Sequence, residues 1–113
     1  MDATRHVAVI GAGSIGVGWA LVFAMAGRQV RLQDPEPSRR EAAFREIVAK
    51  ARMLVEAGLL GEAAETLAER VCVVTGLDDA VAGACHVQEN APERIDIKRA
   101  LFADFARLAP GDA

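Results

Sequence analysis

The sequence has little cysteine, no excess of positive charge and no long apolar run. Its 113 residues carry 13 lysines and arginines, 16 acidic residues and a formal net charge of −3. The two cysteines, Cys72 and Cys85, form neither a CxxC pair nor a disulfide framework, which favours a reducing compartment. The mild acidity excludes a broad basic face for nucleic acid. No apolar stretch approaches the ~18–20 residues that cross a bilayer, and the first residues lack the layout of a signal peptide. We therefore expect a cytoplasmic domain with no nucleic-acid partner, no membrane partner and no metal site.

Short apolar runs alternate with helical patterns along the chain. Residues 6–10 are continuously apolar and β-branched after His6, which is typical of a strand buried on both faces. The later strands are predicted at 29–33, 71–75 and 86–88, and helices at 19–26 (buried), about 62–69 and 92–110. A further helix begins at a capping box formed by Ser38 and Glu41 and ends at Gly58. A short helix at 78–82 is expected to be capped by Asp78. This alternation predicts an α/β fold with a parallel sheet, flanking helices and a helical excursion at about 38–69.

A glycine-rich motif follows the first strand. Residues 11–16 read Gly-Ala-Gly-Ser-Ile-Gly, and Asp34 ends the next strand 18 residues beyond Gly16. In this pattern Gly11 permits a tight turn, Gly13 lets the backbone approach a pyrophosphate, and Gly16 lets helix and strand pack closely. The backbone amides at the helix start, those of Ser14 and Ile15, would bind the diphosphate. Asp34 would accept hydrogen bonds from the adenosine ribose, so the motif predicts a dinucleotide site.

The acidic residues near Asp34 predict which dinucleotide is bound. A 2′-phosphate brought near Asp34 and Glu36 would meet like charge, so we expect NAD to be preferred over NADP. Arg39 and Arg40 work against this expectation, because either side chain could turn towards a 2′-phosphate.

The quoted motifs resemble the 3-hydroxyacyl-CoA dehydrogenase family along essentially the whole chain. The stretch from Val7 to Gly16 and the one from Val30 to Pro35 are similar to the start of that family, and Gly18-Trp19 and residues 87–93 are similar to its L-gulonate 3-dehydrogenase/lambda-crystallin branch. The resemblance implies that residues 1–113 are an N-terminal NAD-binding Rossmann domain, incomplete because the C-terminal strands and the helical domain are absent.

The resemblance also implies further roles. Glu93 and Lys98 match family residues near the ribose–nicotinamide end of NAD. The family's catalytic histidine–glutamate pair belongs beyond Ala113, and neither His6 nor His86 replaces it by motif, so we expect no catalytic residue in this chain. The activity implied for the intact enzyme is NAD-dependent oxidation of a 3-hydroxy group, in a 3-hydroxyacyl-CoA of fatty acid metabolism or an L-gulonate-like substrate, by a homo-oligomer. The chain alone is not expected to be catalytically competent.

Two other functions fit the same motif. A non-catalytic NAD-sensing module would use the glycine turn and Asp34 without any hydride transfer. An FAD-binding domain would use the same turn and acidic strand end, although the helices at 38–69 and the residues from Glu93 to Lys98 favour the dehydrogenase.

Overall fold

Four short strands pair in parallel, in the order β3-β2-β1-β4, in the computed structural model, which describes residues 5–89. The strands are β1 (Val7–Ile10), β2 (Val30–Gln33), β3 (Val71–Val74) and β4 (His86–Glu89). Val7 lies opposite Val30 on one side of β1 and opposite His86 on the other. The order and direction confirm the predicted Rossmann-type sheet. The helix expected at 92–110 lies outside the described residues.

The helices divide the sheet between two cores. The helices are α1 (Ser14–Met25), α2 (Pro37–Glu56), α3 (Ala64–Glu69) and α4 (Leu77–Val81). Buried residues of α1, α2 and α3 pack on the face of the sheet that carries Val7 and Val9, whereas α4 packs against Ala8 and Ile10 on the opposite face. This division follows from the pleat, because successive side chains of a strand point to opposite faces. β1 is therefore buried on both sides, as its apolar run predicts.

The first helix begins earlier than its apolar pattern predicts and is less buried. It starts at Ser14 rather than at residue 19, so Gly16 and Gly18 lie inside the helix. The apolar pattern misses the first turn, because two glycines and a serine have low helix propensity, whereas the glycine motif, which predicts a helix start at Ser14 and Ile15, agrees with the structure. The expectation of a buried helix holds for one face only, since Trp19, Val22 and Met25 are exposed.

The two predicted side-chain caps do not form. α2 begins at Pro37 with Glu36 as its N-cap and no side-chain cap bond, so Ser38 lies within the helix and has no capping role. Proline at the first helical position sets this start, because it needs no N–H partner there. α4 begins at Leu77 after Gly76, likewise without a side-chain cap bond. Asp78 therefore lies inside α4 and does not cap it.

The third strand is only half buried. Its side chains alternate, so that Val71 is buried in the α1–α3 core while Cys72 is exposed on the other face. A cysteine in an apolar strand is typically buried core, but Cys72 is exposed, because the cluster around α4 covers Ala8 and Ile10 of β1 and includes β3 only at Val74. Cys85 is buried and also has a free thiol.

An ion pair ties the end of α1 to the region around α3. Arg70 donates from Nη1 to the carbonyl oxygen of Ala24 at 2.9 Å and pairs with Glu62. The hydrogen bonds from the Arg70 guanidinium lower the pKa of the Glu62 carboxyl below its usual value, and those same bonds raise the pKa of Arg70. This contact links the C-terminal end of α1 to the residues that flank α3.

Candidate functional site

The site lies where the carboxyl ends of β1 and β2 meet. In the order β3-β2-β1-β4, the strands after β1 are added first on one side of β1, as β2 and β3, and then on its opposite side, as β4. Ligands of open parallel sheets bind at such a switch point, outside the carboxyl ends of the strands. The glycine turn follows β1 at this edge, and Asp34 follows β2.

The glycine turn requires residues without side chains at two positions. Gly11 has a φ of 96°, which favours glycine, and its N–H donates to the carbonyl oxygen of Gln33 at 2.7 Å. A Cβ on Gly16 would lie 1.8 Å from the carbonyl oxygen of Gly11, a distance that no side chain tolerates. These are the tight-turn role predicted for Gly11 and the close-packing role predicted for Gly16.

Backbone donors gather at the start of α1. Its N-cap is Gly13, with no side-chain cap bond and no acidic residue in the first turn. The first hydrogen bond of the helix runs from Val17 N–H to the carbonyl oxygen of Gly13 at 2.9 Å, so the preceding N–H groups, those of Ser14, Ile15 and Gly16, have no helical acceptor. Gly13, Ser14 and Ile15 are exposed, and a Cβ on Gly13 would meet no protein atom within 4 Å. The geometry fits an anion such as a diphosphate.

Asp34 joins the two loops of the site. The residue is 2% exposed. Its Oδ2 accepts a hydrogen bond from Ala12 N–H at 3.1 Å, and its Oδ1 accepts one from Glu36 N–H at 3.0 Å. A carboxylate offers about four lone-pair sites, so acceptor capacity remains for ribose hydroxyls. The bond to Ala12 was not foreseen, and it gives Asp34 a second role in holding the glycine turn.

The two arginines in the first turn of α2 contact different atoms of Asp34. Arg40 is half-buried and donates from Nη1 to the main-chain carbonyl oxygen of Asp34 at 2.9 Å. The Arg39 side chain is 61% exposed, and its Nη1 lies 3.8 Å from Oδ2 of Asp34. Only Arg39 therefore faces the carboxylate.

The remaining candidate residues lie elsewhere. Glu93 and Lys98 are outside the described residues, so their predicted roles at the nicotinamide end stay predictions. Both histidines lie at the amino ends of strands, away from the glycine turn: His6 precedes β1, and His86 begins β4, with its ring centroid 5.7 Å from that of Phe23.

Two other kinds of site are absent from residues 5–89. Within them, no three histidine, cysteine or acidic side chains converge as a metal site would require. No helix in this part of the chain has both the length and the apolarity to cross a membrane.

Comparison with known proteins places this geometry in one family. The family model for the NAD-binding domain of 3-hydroxyacyl-CoA dehydrogenase matches residues 6–113. The chain is 42% identical over 112 residues to lambda-crystallin homolog from Bos taurus, covering 96% of this chain and 34% of the relative. It is 40% identical over 109 residues to L-carnitine dehydrogenase from Streptomyces griseus, covering 96% and 32%.

A solved structure agrees with these relatives. 3-Hydroxybutyryl-CoA dehydrogenase from Escherichia coli K12 superposes with a TM-score of 0.89 at 37% identity, covering 99% of this chain and 24% of that one. The chain spans about a third of the length of the curated relatives that it matches.

Proposed function

The chain belongs to the family of 3-hydroxyacyl-CoA dehydrogenase NAD-binding domains, and from this premise we propose that it is the cofactor-binding part of an oxidoreductase that oxidises a 3-hydroxy group. NAD is the cofactor of this domain family. The observation that carries the proposal is the joint placement of the exposed amides at the start of α1 and the buried Asp34 carboxylate at one edge of the sheet.

The residues divide the work of binding NAD. The N–H groups of Ser14, Ile15 and Gly16 would hold the diphosphate, helped by the positive end of the α1 dipole. Asp34 would accept hydrogen bonds from the adenosine ribose. When bound, NAD supplies the hydride acceptor, and the protein supplies its placement.

The same residues support a preference for NAD over NADP. The Asp34 carboxylate is held by two backbone N–H groups, so it cannot rotate away from an approaching 2′-phosphate. Glu36 adds a second negative charge close by. Repulsion between these carboxylates and a 2′-phosphate disfavours the phosphorylated cofactor.

The substrate class rests on the relatives. The names L-carnitine dehydrogenase and 3-hydroxybutyryl-CoA dehydrogenase belong to proteins with closely similar NAD-binding domains. We propose that the substrate is a 3-hydroxy acid or its coenzyme A thioester, including L-gulonate-like acids and the intermediates of fatty acid metabolism. The free thiols of Cys72 and Cys85 support a reducing, cytoplasmic location.

Hydride transfer by this chain alone is not expected. Neither histidine of the described residues is near the glycine turn, and a cofactor that is bound without an aligned substrate gains nothing from proximity. The proposal is tested by calorimetric titration of the purified chain with NAD, NADP and AMP. We expect NAD and AMP to bind, Asp34→Ala to weaken both, and NADP to bind more weakly than NAD. NADP binding as tight as that of NAD would overturn the stated preference, and a yellow preparation containing flavin would overturn the choice of cofactor.

We also propose that the chain self-associates. The outer side of α1 exposes an apolar stripe of Ile15, Trp19, Val22 and Met25, with Trp19 stacked on Phe23 at 5.9 Å. Exposed apolar stripes of this kind are typical of association surfaces. In sedimentation experiments we expect a concentration-dependent dimer that Val22→Lys weakens. A monomer at all concentrations would exclude the proposal.

A further inference from the structure

The first turn of α2 has a charge that does not suit a helix start. It contains Arg39 and Arg40 and no acidic residue. The positive end of the helix dipole disfavours cations there and favours carboxylates. Stabilisation of α2 therefore does not explain why arginines occupy these two positions. Their contacts with the neighbouring cofactor site offer another reason.

Their contacts separate the two arginines. Arg40 is fixed to the end of β2 by its hydrogen bond to the carbonyl oxygen of Asp34. The 3.8 Å from Arg39 Nη1 to Asp34 Oδ2 is beyond hydrogen-bond length, so this pair is held by charge alone. An exposed guanidinium held in this way can pair with a second anion without breaking a hydrogen bond.

We infer that Arg39 is a specificity-determining residue of the cofactor site, poised to pair with a phosphate on the 2′-oxygen of the adenosine, and that the charge of Asp34, added to that of Glu36, keeps NADP out. The inference rests on the proposed function, because it requires the adenosine ribose to meet Asp34. The cation that an NADP site needs is then already present, and one neutralising substitution exposes it. A guanidinium pairs with phosphate in a bidentate, charge-assisted way that an uncharged side chain cannot replace.

The test compares binding of AMP, adenosine 2′,5′-bisphosphate, NAD and NADP to variants of the 113-residue chain. In Asp34→Asn we expect the affinity for NADP relative to NAD to rise at least about tenfold, because Arg39 exchanges its carboxylate partner for the 2′-phosphate. The rise should vanish in Asp34→Asn/Arg39→Met. It should persist in Asp34→Asn/Arg52→Met, where an exposed arginine is removed from the far end of the same helix.

A second variant keeps the test independent of folding, since Asp34 also holds Ala12 and Glu36. With Asp34 unchanged, Arg39→Met should weaken adenosine 2′,5′-bisphosphate at least about threefold more than AMP, and the difference should shrink as salt is added. A gain in NADP affinity that survives loss of Arg39, or no gain in a folded Asp34→Asn, overturns the inference and leaves the proposed function standing. Failure of the unaltered chain to bind AMP or NAD overturns the proposed function itself.

Discussion

The two ends of the sheet differ in the acceptors that their hydrogen-bond donors have. At the amino end, side chains donate to the carbonyl groups of α4 and the residues after it. Arg31 Nη1 reaches Asp79 at 2.6 Å, His6 Nε2 reaches Ala80 at 2.6 Å, and Arg5 reaches Gly83 at 2.9 Å and Ala84 at 2.6 Å. These donors are used within the protein. They fix a five-residue helix that is too short to be stable alone.

At the carboxyl end, Arg40 and the N–H groups of Ala12 and Glu36 donate within the protein, but the N–H groups at the start of α1 face outward. Gly13 caps α1 without a side chain, and the carboxylate of Asp34, which follows β2, accepts a hydrogen bond from Ala12 N–H in the turn. The N–H groups at the start of α1 thus remain for a ligand. We therefore expect this sheet to be stabilised at its amino end and to bind its ligand at its carboxyl end. Substitutions at the two ends should therefore separate stability from binding.

The largest effects are expected at two glycines of the turn, at Gly16 on stability and at Gly13 on NAD binding. Gly16→Ala forces a Cβ to within 1.8 Å of the Gly11 carbonyl oxygen, so the turn must move. We expect a loss of about 3 kcal/mol or more in the free energy of unfolding, measured by urea titration. Gly13→Ala meets no protein atom, so its stability should stay within about 1 kcal/mol of the unaltered chain while NAD binding falls at least about tenfold.

Gly18→Ala is the matched control for both variants. Gly18 lies inside α1 and its Cβ would meet no atom within 4 Å of other elements. Removing a glycine from a helix interior should stabilise the chain by up to ~1 kcal/mol and leave NAD binding intact. Full NAD affinity in Gly13→Ala would contradict the assignment of the diphosphate to this turn.

A smaller effect is expected at the amino end. Arg5→Met removes the donors to the carbonyl groups of Gly83 and Ala84. We expect a loss of about 1–3 kcal/mol in the free energy of unfolding, because two charged hydrogen bonds are lost, one of them to a partly buried carbonyl. The affinity for AMP should change less than about twofold, since the site lies at the other end of the sheet.

The exposed Arg52→Met serves here as the comparison, with an expected change within about 0.5 kcal/mol. Should Arg5→Met weaken AMP binding in a folded protein, the two ends would be coupled and their separation would be wrong.

The sequence predicts the sheet better than it predicts the contacts within the site. Short apolar runs indicate the strands, and the glycine motif indicates the edge at which the site forms, which follows from general rules of parallel sheets. The apolar pattern alone misses the first turn of α1, because the packing of Gly16 against Gly11 depends on a tertiary contact that propensity does not contain. The glycine motif indicates that turn. The exposure of Cys72 depends on how much of β3 the residues around α4 cover, and periodicity does not reveal this.

The contacts of Asp34 show a second limit of prediction. An aspartate before proline predicts a turn, and the bond from Glu36 N–H to Oδ1 is such a turn. The bond from Ala12 N–H joins residues 22 positions apart, so it appears only once the loops are placed. The difference between Arg39 and Arg40 depends on the rotation of α2 about its own axis, since adjacent helical residues point ~100° apart.

The smallest effect concerns the pH dependence of the amino end. Burial lowers the pKa of His6 below its ordinary value of 6.5, opposed by its bond to the Ala80 carbonyl and assisted by the charges of Arg31 and Arg5. The unfolded chain therefore binds a proton at a higher pH than the folded one. Stability should be complete above pH 6.5 and should fall as the pH drops from there towards the lower pKa of the folded state.

Urea midpoints between about pH 5 and 7.5 should show this slope, and His6→Gln, which keeps an N–H donor but does not titrate, should flatten it. Because the ring is only partly buried, the change in midpoint should be smaller than that of Arg5→Met. An unchanged slope in His6→Gln would assign the pH dependence to other groups. An AMP affinity that followed the same slope would show that the amino end, too, acts on the site.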